Sequence, residues 1–220
     1  MTELILIRHG ETDWNVARRL QGHLDVTLNA EGERQAAAVA AALADEHVHA
    51  IYASDMQRTQ LTAQAIAAPR GMRVLSDSAL RERCYGDLQG LTHSEISVRY
   101  PQDYHAWKAR DPDVRYASQQ TVAETLREFS ARAVGAVIAL AKQAAAQPGL
   151  QTIVIVTHGG VLDCVHRHIH IAAGGFKQPR DFDILNASIN RLRWDGESLQ
   201  IRQWGDVAHL AQTALDETDR

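Results

Sequence analysis

Apolar runs of two kinds alternate along this chain, short continuous ones and longer stripes at helical spacing. Residues 2–7 (TELILI) form a β-rich apolar run that passes straight into a glycine-containing turn, which predicts a buried central strand. An alanine-rich stretch over 29–46, headed by Asn29 as N-cap, predicts a helix. Residues 50–53 predict a second strand. Ser54 and Asp55 then offer a cap for a helix reaching about residue 68, where Pro69 and Gly71 stop it. A third short strand is expected over 73–75. The clearest helix is expected over 121–147, where Thr121 and Glu124 make a T-x-x-E capping box. Along it Val122, Leu126, Phe129, Ala133, Val137 and Leu140 recur as a core-facing stripe. Residues 152–156 (TIVIV) read as the most apolar strand, and Thr157-His158-Gly159-Gly160 leads from it into another helix. Residues 188–194 and 198–204 predict two strands joined across Asp195-Gly196, a good hairpin turn.

Strands that alternate with helices predict an α/β protein: a three-layer α/β/α sandwich with a mainly parallel central sheet and antiparallel additions near the C-terminus. One domain over 1–220 is expected. Residues 76–120 break the alternation. They hold Gly86, Gly90, Pro101, Pro112, most of the tyrosines and Trp107, and predict a lid-like insertion at about 84–120.

Composition narrows the partners. Apolar residues make up 45% of the 220, charged residues 23%, and the formal net charge is -4 with no basic block. Nucleic acid and anionic membrane are therefore poor partners. Cys84 and Cys164 form no CxxC motif, so neither a disulfide framework nor a zinc ribbon is expected. The N-terminus lacks the apolar stretch of a signal peptide, and a cytoplasmic protein is expected.

Two predicted strands end in histidine, as Arg8-His9-Gly10 and as Thr157-His158-Gly159. In open α/β sheets ligands bind beyond the carboxyl ends of the strands. If the two strands are parallel neighbours, both imidazoles emerge at one crevice. A histidine with one unprotonated ring nitrogen can attack phosphorus, and guanidinium groups such as that of Arg8 suit the spread charge of a phosphoryl group. Gly10 would let the backbone approach the phosphoryl oxygens. A charged pair capping a strand end is the plain alternative.

The longer run Arg8-His9-Gly10-Glu11-Thr12-Asp13-Trp14-Asn15, followed by Arg19-Leu20-Gln21-Gly22, resembles the signature of the histidine phosphatase superfamily, in its phosphoglycerate mutase branch. Ser54-Asp55-Met56-Gln57-Arg58-Thr59, Leu80-Arg81-Glu82, Thr157-His158-Gly159-Gly160 and Asn186-Ala187-Ser188-Ile189 continue the resemblance in the family's order. It implies that His9 becomes a phosphohistidine, that Arg8, Arg58 and His158 hold the phosphoryl oxygens, and that Glu82 serves as acid and then base. It puts Asn15, Gln21 and Gly22 at the mouth of the site, and Tyr85 and Gly159 complete the expected substrate-binding set. The family chemistry needs no cofactor and no metal. The implied ligands are a small phosphorylated substrate and inorganic phosphate.

Several of the candidates have a plainer reading, but His158, between an apolar strand and two glycines, is poorly placed for the core and well placed for a crevice. Arg58 alone would be a surface arginine, though a place in the first turn of its helix favours an anion nearby. Glu82 stands in Arg81-Glu82-Arg83, a run that usually forms a solvated salt-bridge cluster. His166, His168 and His170 could place two ligands on one helix face, but they match a partly exposed polar face better than a metal site. Cys84 reads as an inert small residue.

The pattern also departs from the family. Its members often carry Gly-Gly-Glu-Ser where this chain has Val122-Ala123-Glu124-Thr125. The stretch 83–91 resembles that of the cofactor-dependent mutases, but their arginine- and proline-rich insertion is missing. A mutase must shield its phosphohistidine from water, whereas a phosphatase needs water access. The balance favours a phosphatase, with mutase-type transfer as the alternative and a non-catalytic phosphate-binding module as the third reading. Tyr85, Tyr100, Tyr104, Trp107, Tyr116, Arg99, Arg110 and Arg115 suit either a pocket for an anionic substrate or a lid packed on itself. The terminal hairpin offers an edge for a possible homodimer.

Overall fold

The computed structural model describes residues 1–119, 121–170, 175–210 and 214–216. Gln120, the last residue of the expected insertion, lies outside them. Six strands form one sheet in the order β3-β2-β4-β1-β5-β6: β1 (Thr2–Arg8), β2 (Ala50–Ala53), β3 (Val74–Ser76), β4 (Gln151–Thr157), β5 (Ile189–Trp194) and β6 (Leu199–Asp206). β1 through β4 run parallel, while β5 pairs antiparallel with β1 and β6 antiparallel with β5.

The two most apolar runs take the middle because both of their faces are covered. Leu4 and Leu6 of β1 and Ile153 and Ile155 of β4 pack under α6 (Leu126–Ala145) and α7 (Gly159–His170). Ile5, Ile7, Val154 and Val156 turn to the other side, against α2 (Ala30–Ala42) and α3 (Gln57–Ala67). The result is the expected three-layer sandwich. Register pairs Arg8 with Thr157 at the carboxyl ends of β1 and β4, so the chain leaves both strands side by side.

Several boundaries differ from the sequence expectation. Asn29 does cap α2, its side chain accepting from the Gly32 N–H. For α3 the cap is Met56 without a side-chain bond, and Ser54 is engaged elsewhere. The long helix begins at Leu126 rather than at Thr121, with the capping box made by Thr125 and Glu128. Val122 accordingly stands 74% exposed, outside the buried stripe. The terminal strands are joined by a longer loop in which the Asp195 carboxylate accepts from the Glu197 and Ser198 N–H groups.

Residues 84–119 contribute no strand. They hold two short helices, α4 (His93–Arg99) and α5 (Pro101–Lys108), and their Tyr85, Leu88, Ile96, Trp107 and Tyr116 form a separate apolar cluster with Leu20 from the segment after β1. The four-residue α1 (Asp13–Val16), capped by Thr12, closes the turn after β1. Among the described residues no helix is long and apolar enough to cross a membrane.

Candidate active site

A cavity of about 340 Å³ opens at the carboxyl ends of β1 and β4, and its lining includes Arg8, His9, Arg58, Glu82 and His158. The His9 backbone extends the ladder, its N–H donating to the Thr157 carbonyl at 2.9 Å. The His9 and His158 rings meet edge to face with centroids 5.3 Å apart. His9 Nδ1 lies 2.7 Å from the Gly10 carbonyl oxygen. A carbonyl can only accept, so Nδ1 carries the hydrogen and Nε2 carries the lone pair. Burial, with Arg58 and Arg8 alongside, holds the His9 pKa well below the usual 6.5, which keeps that lone pair free of a proton.

The two arginines are fully buried and braced by backbone carbonyls. Arg8 Nη1 donates to the Ile184 carbonyl at 2.7 Å. Arg58, in the first turn of α3, donates to the carbonyls of Gly22 at 2.8 Å and Leu24 at 3.0 Å. Fixed guanidinium groups beside a strand end form a preorganised positive field for a phosphoryl group. His158 is buried too, and burial together with Arg58 and His9 lowers its pKa well below 6.5.

Glu82 reaches the cavity from the loop after β3. Oε1 accepts from the Arg83 N–H at 2.7 Å and Oε2 from the Gly160 N–H at 2.8 Å, at the start of α7. Sequence reasoning missed what holds this loop. Arg132 of α6 donates to the carbonyls of Ala79, Arg81 and Glu82 and makes a fork with both oxygens of Glu124. Glu124 in turn accepts from the Cys84 N–H at 2.9 Å. Burial pushes the Glu124 carboxyl up, but those hydrogen bonds outweigh it and hold the group low. Glu124 is therefore a brace for the Glu82 loop and not half of a capping box. The signal was an arginine spaced eight residues on, too remote for a helix-cap pattern.

Asn15, Gln21, Gly22 and Tyr85 also line the cavity, together with Arg19 and Leu20. Gly159 begins α7 and is not among the residues that line the cavity, and its neighbour Gly160 is the residue against Glu82. Gly10 is also required by packing. A Cβ there would stand 2.5 Å from the Gly32 carbonyl oxygen, so the glycine admits α2.

Tyr85 also lines a second cavity of about 470 Å³, with Arg83, Trp107, Arg110, Tyr116 and Phe129. Arg110 pairs with Asp163 at 2.5 Å. Buried Arg83 donates to the Tyr116 hydroxyl and the Glu124 carbonyl and stacks 4.4 Å from the Tyr116 ring. Arg99 and Arg115 stand exposed, and Tyr100 and Tyr104 pack into the local cluster.

The remaining candidates have structural partners. His166 stacks on Phe182 with centroids 3.5 Å apart, and burial lowers its pKa to about 4. Among the described residues no group of three His, Cys, Asp or Glu side chains is placed to hold a metal ion. Cys84 is buried as a free thiol, and burial pushes its pKa up.

The model of the histidine phosphatase superfamily (branch 1) matches residues 4–207. Phosphoglycerate mutase-like protein 4 of Arabidopsis thaliana is 39% identical over 97% of this chain and 89% of its own length. The metal-independent phosphoserine phosphatase of the same plant is 34% identical over 98% and 86%. Among solved structures, Bacillus stearothermophilus YhfR superposes with a TM-score of 0.81 at 32% identity, covering 95% of this chain and 99% of that one.

Proposed function

Because the chain belongs to the histidine phosphatase superfamily, we propose that it is a phosphomonoesterase that works through a phosphohistidine on His9. The observation that carries this is the His9 ring itself: Nδ1 is tied to the Gly10 carbonyl, which leaves Nε2 as the nucleophile in a cavity shared with Arg8, Arg58, His158 and Glu82. Nε2 attacks phosphorus as the bond to the leaving oxygen breaks, and Glu82 gives that oxygen a proton. Water then attacks the phosphohistidine, Glu82 takes its proton, and inorganic phosphate leaves. Arg8, Arg58 and His158 hold the phosphoryl oxygens throughout. Asn15, Gln21 and Gly22 border the mouth. All of these residues come from one chain, so the proposed chemistry makes no demand for a second copy. Free buried Cys84 and Cys164 suit the reducing cytoplasm.

The second cavity supports a substrate with more than a phosphate. Arg83, held by the Tyr116 hydroxyl and the Glu124 carbonyl, brings positive charge, and Trp107 and Tyr116 bring apolar walls, next to the catalytic cavity at Tyr85, while Arg110 is already paired with Asp163. A small phosphorylated metabolite that also carries a carboxylate fits this combination. Residues 84–119 act in this reading as a wall that sets specificity. The test is phosphate release from a panel of phosphomonoesters, with a mutase assay beside it. Carboxylate-bearing substrates such as 3-phosphoglycerate and phosphoserine are expected to exceed neutral alkyl phosphates in kcat/KM by about tenfold or more. A chelator is expected to leave the rate unchanged. Efficient isomerisation of phosphoglycerate with little release of phosphate would replace the hydrolytic reading with mutase-type transfer.

Gly160 gives a separate check on Glu82. A Cβ there would lie 2.2 Å from Glu82 Oε1, the far end of a flexible side chain. Gly160→Ala is expected to push the carboxylate aside at little cost to folding. Turnover should fall about 10- to 100-fold while the melting temperature moves by only a few degrees. Full activity in this variant would show that the Glu82 position does not matter.

A further inference from the structure

The second histidine of the site is held by a pair of hydroxyls whose hydrogens can be placed by elimination. His158 Nε2 is 2.7 Å from Ser54 Oγ, and Ser54 Oγ is 2.7 Å from Thr59 Oγ1. Thr59 Oγ1 also lies 2.9 Å from the Ser54 carbonyl oxygen and 2.8 Å from that of Met56. Carbonyls only accept, so the single Thr59 hydroxyl hydrogen points at them; turned toward Ser54, it would leave oxygen lone pairs face to face at those distances. Thr59 Oγ1 then accepts from the Ser54 hydroxyl. Ser54 has spent its hydrogen and can only accept from His158, so the His158 hydrogen sits on Nε2. All three side chains are fully buried, away from bulk solvent. His158 Nδ1, also buried, has no hydrogen-bond partner among the described residues.

We propose that Ser54 and Thr59 are positioning residues for His158: together they hold its neutral ring as the Nε2–H tautomer, so that the nitrogen left to meet a phosphoryl oxygen is Nδ1. The inference rests on the reading of the cavity as a phosphoryl site. The paired histidines then present opposite nitrogens, His9 its Nε2 as nucleophile and His158 its Nδ1 as proton acceptor. When a phosphate monoanion docks, its proton passes from a phosphate oxygen to Nδ1, which leaves a dianion against an imidazolium. The Ser54 lone pair on Nε2–H stabilises that imidazolium. A ring in the other tautomer would aim an N–H into the cavity before the substrate arrives and could take up no proton there. The charged and titratable groups that face His158 are Arg8 and His9 at the end of β1, Arg58 on α3 and His23 from the loop before α2, with Glu82 across the cavity.

The experiment compares the full-length protein with Thr59→Val, Thr59→Ser and Ser54→Ala. Long-range 1H–15N correlation spectra of histidine-labelled protein distinguish the two neutral tautomers, and His158 is assigned by its loss in His158→Gln. The wild-type protein is expected to show His158 as Nε2–H and His9 as Nδ1–H. Thr59→Val frees the Ser54 hydroxyl to donate, and His158 is expected to become a mixture of tautomers while His9 is unmoved. In Thr59→Val and Ser54→Ala, kcat/KM is expected to fall about tenfold, the equivalent of one hydrogen bond. In Ser54→Ala the alkaline limb of the kcat profile is also expected to move to lower pH. Thr59→Ser, which keeps the hydroxyl, recovers most of the loss. Wild-type His158 in the Nδ1–H form overturns the proposal, as does a wild-type tautomer and rate in both Thr59→Val and Ser54→Ala. The wild-type spectrum alone decides the tautomer if a variant fails to fold. If no phosphomonoester is turned over, the phosphatase reading falls while the spectra still judge the tautomer.

Discussion

Replacement of His9 by alanine is expected to lower phosphate release by about 10⁴-fold or more, a loss typical of removing a covalent nucleophile. Binding should survive. Arg8 and Arg58 are held by backbone carbonyls that do not involve the His9 side chain, so inorganic phosphate or vanadate should bind His9→Ala within about tenfold of the wild-type affinity, a loss of one hydrogen bond at most. The wild-type protein, quenched in mid-turnover, should carry one phosphoryl group on His9 in an acid-labile, alkali-stable linkage, visible by mass spectrometry, and the variant should carry none. Because burial and the neighbouring arginines hold His9 unprotonated well below 6.5, labelling should persist in buffers more acidic than the ordinary imidazole value. A binding module without chemistry would show anion binding in both proteins and labelling in neither. Labelling that persists in His9→Ala would move the nucleophile elsewhere.

Much of this site could be read from local pattern, and the parts that could not share one physical cause. The runs TELILI and TIVIV announced buried strands, and a histidine after each is enough to place two imidazoles together once the strands are parallel neighbours. Arg58 came from the family resemblance, since its place in the first turn of a helix suits an anion but by itself reads as a surface arginine. The start of α6 did not follow, because the chain offers two consecutive T-x-x-E boxes, at Thr121 and at Thr125. Helical spacing through Leu126 and Phe129 suits both. Tertiary contact decides between them, since Arg132 draws Glu124 away to brace the Glu82 loop. Ser54 was misread in the same way. A serine ahead of a helix suggests a cap, yet its hydroxyl is bound to a histidine 104 positions later. Local sequence can propose what a side chain is able to bond, but the partner that wins is set by burial and by groups brought in from distant strands. Gly10 shows the converse: its need for a bare backbone was legible, and the neighbour that imposes it, Gly32 on α2, was not.

Glu82→Gln should separate the two halves of the reaction. An alkyl phosphate has a poor leaving group, so loss of the proton donor should slow its turnover about 10²- to 10⁴-fold. A nitrophenyl phosphate leaves without help, so His9 should still be phosphorylated at a rate within about tenfold of wild type. The phosphohistidine then meets water with no base to activate it. The expected record is a burst of nitrophenol equal to the enzyme present, followed by slow release, with phosphoenzyme accumulating on the same time course. Geometry complicates the variant, and a second one resolves it. The carboxylate now accepts from two N–H groups, of Arg83 and Gly160. A glutamine offers one oxygen, and its amide hydrogens would oppose the other donor, so the side chain could swing out. Glu82→Ala removes that conflict and leaves space in which formate or azide can stand. Added formate should then restore hydrolysis of the phosphoenzyme in proportion to its concentration. Equal slowing of alkyl and aryl phosphates, with no burst and no rescue, would reduce Glu82 to a structural anchor between its loop and α7, and the proton would have to come from another group at the cavity.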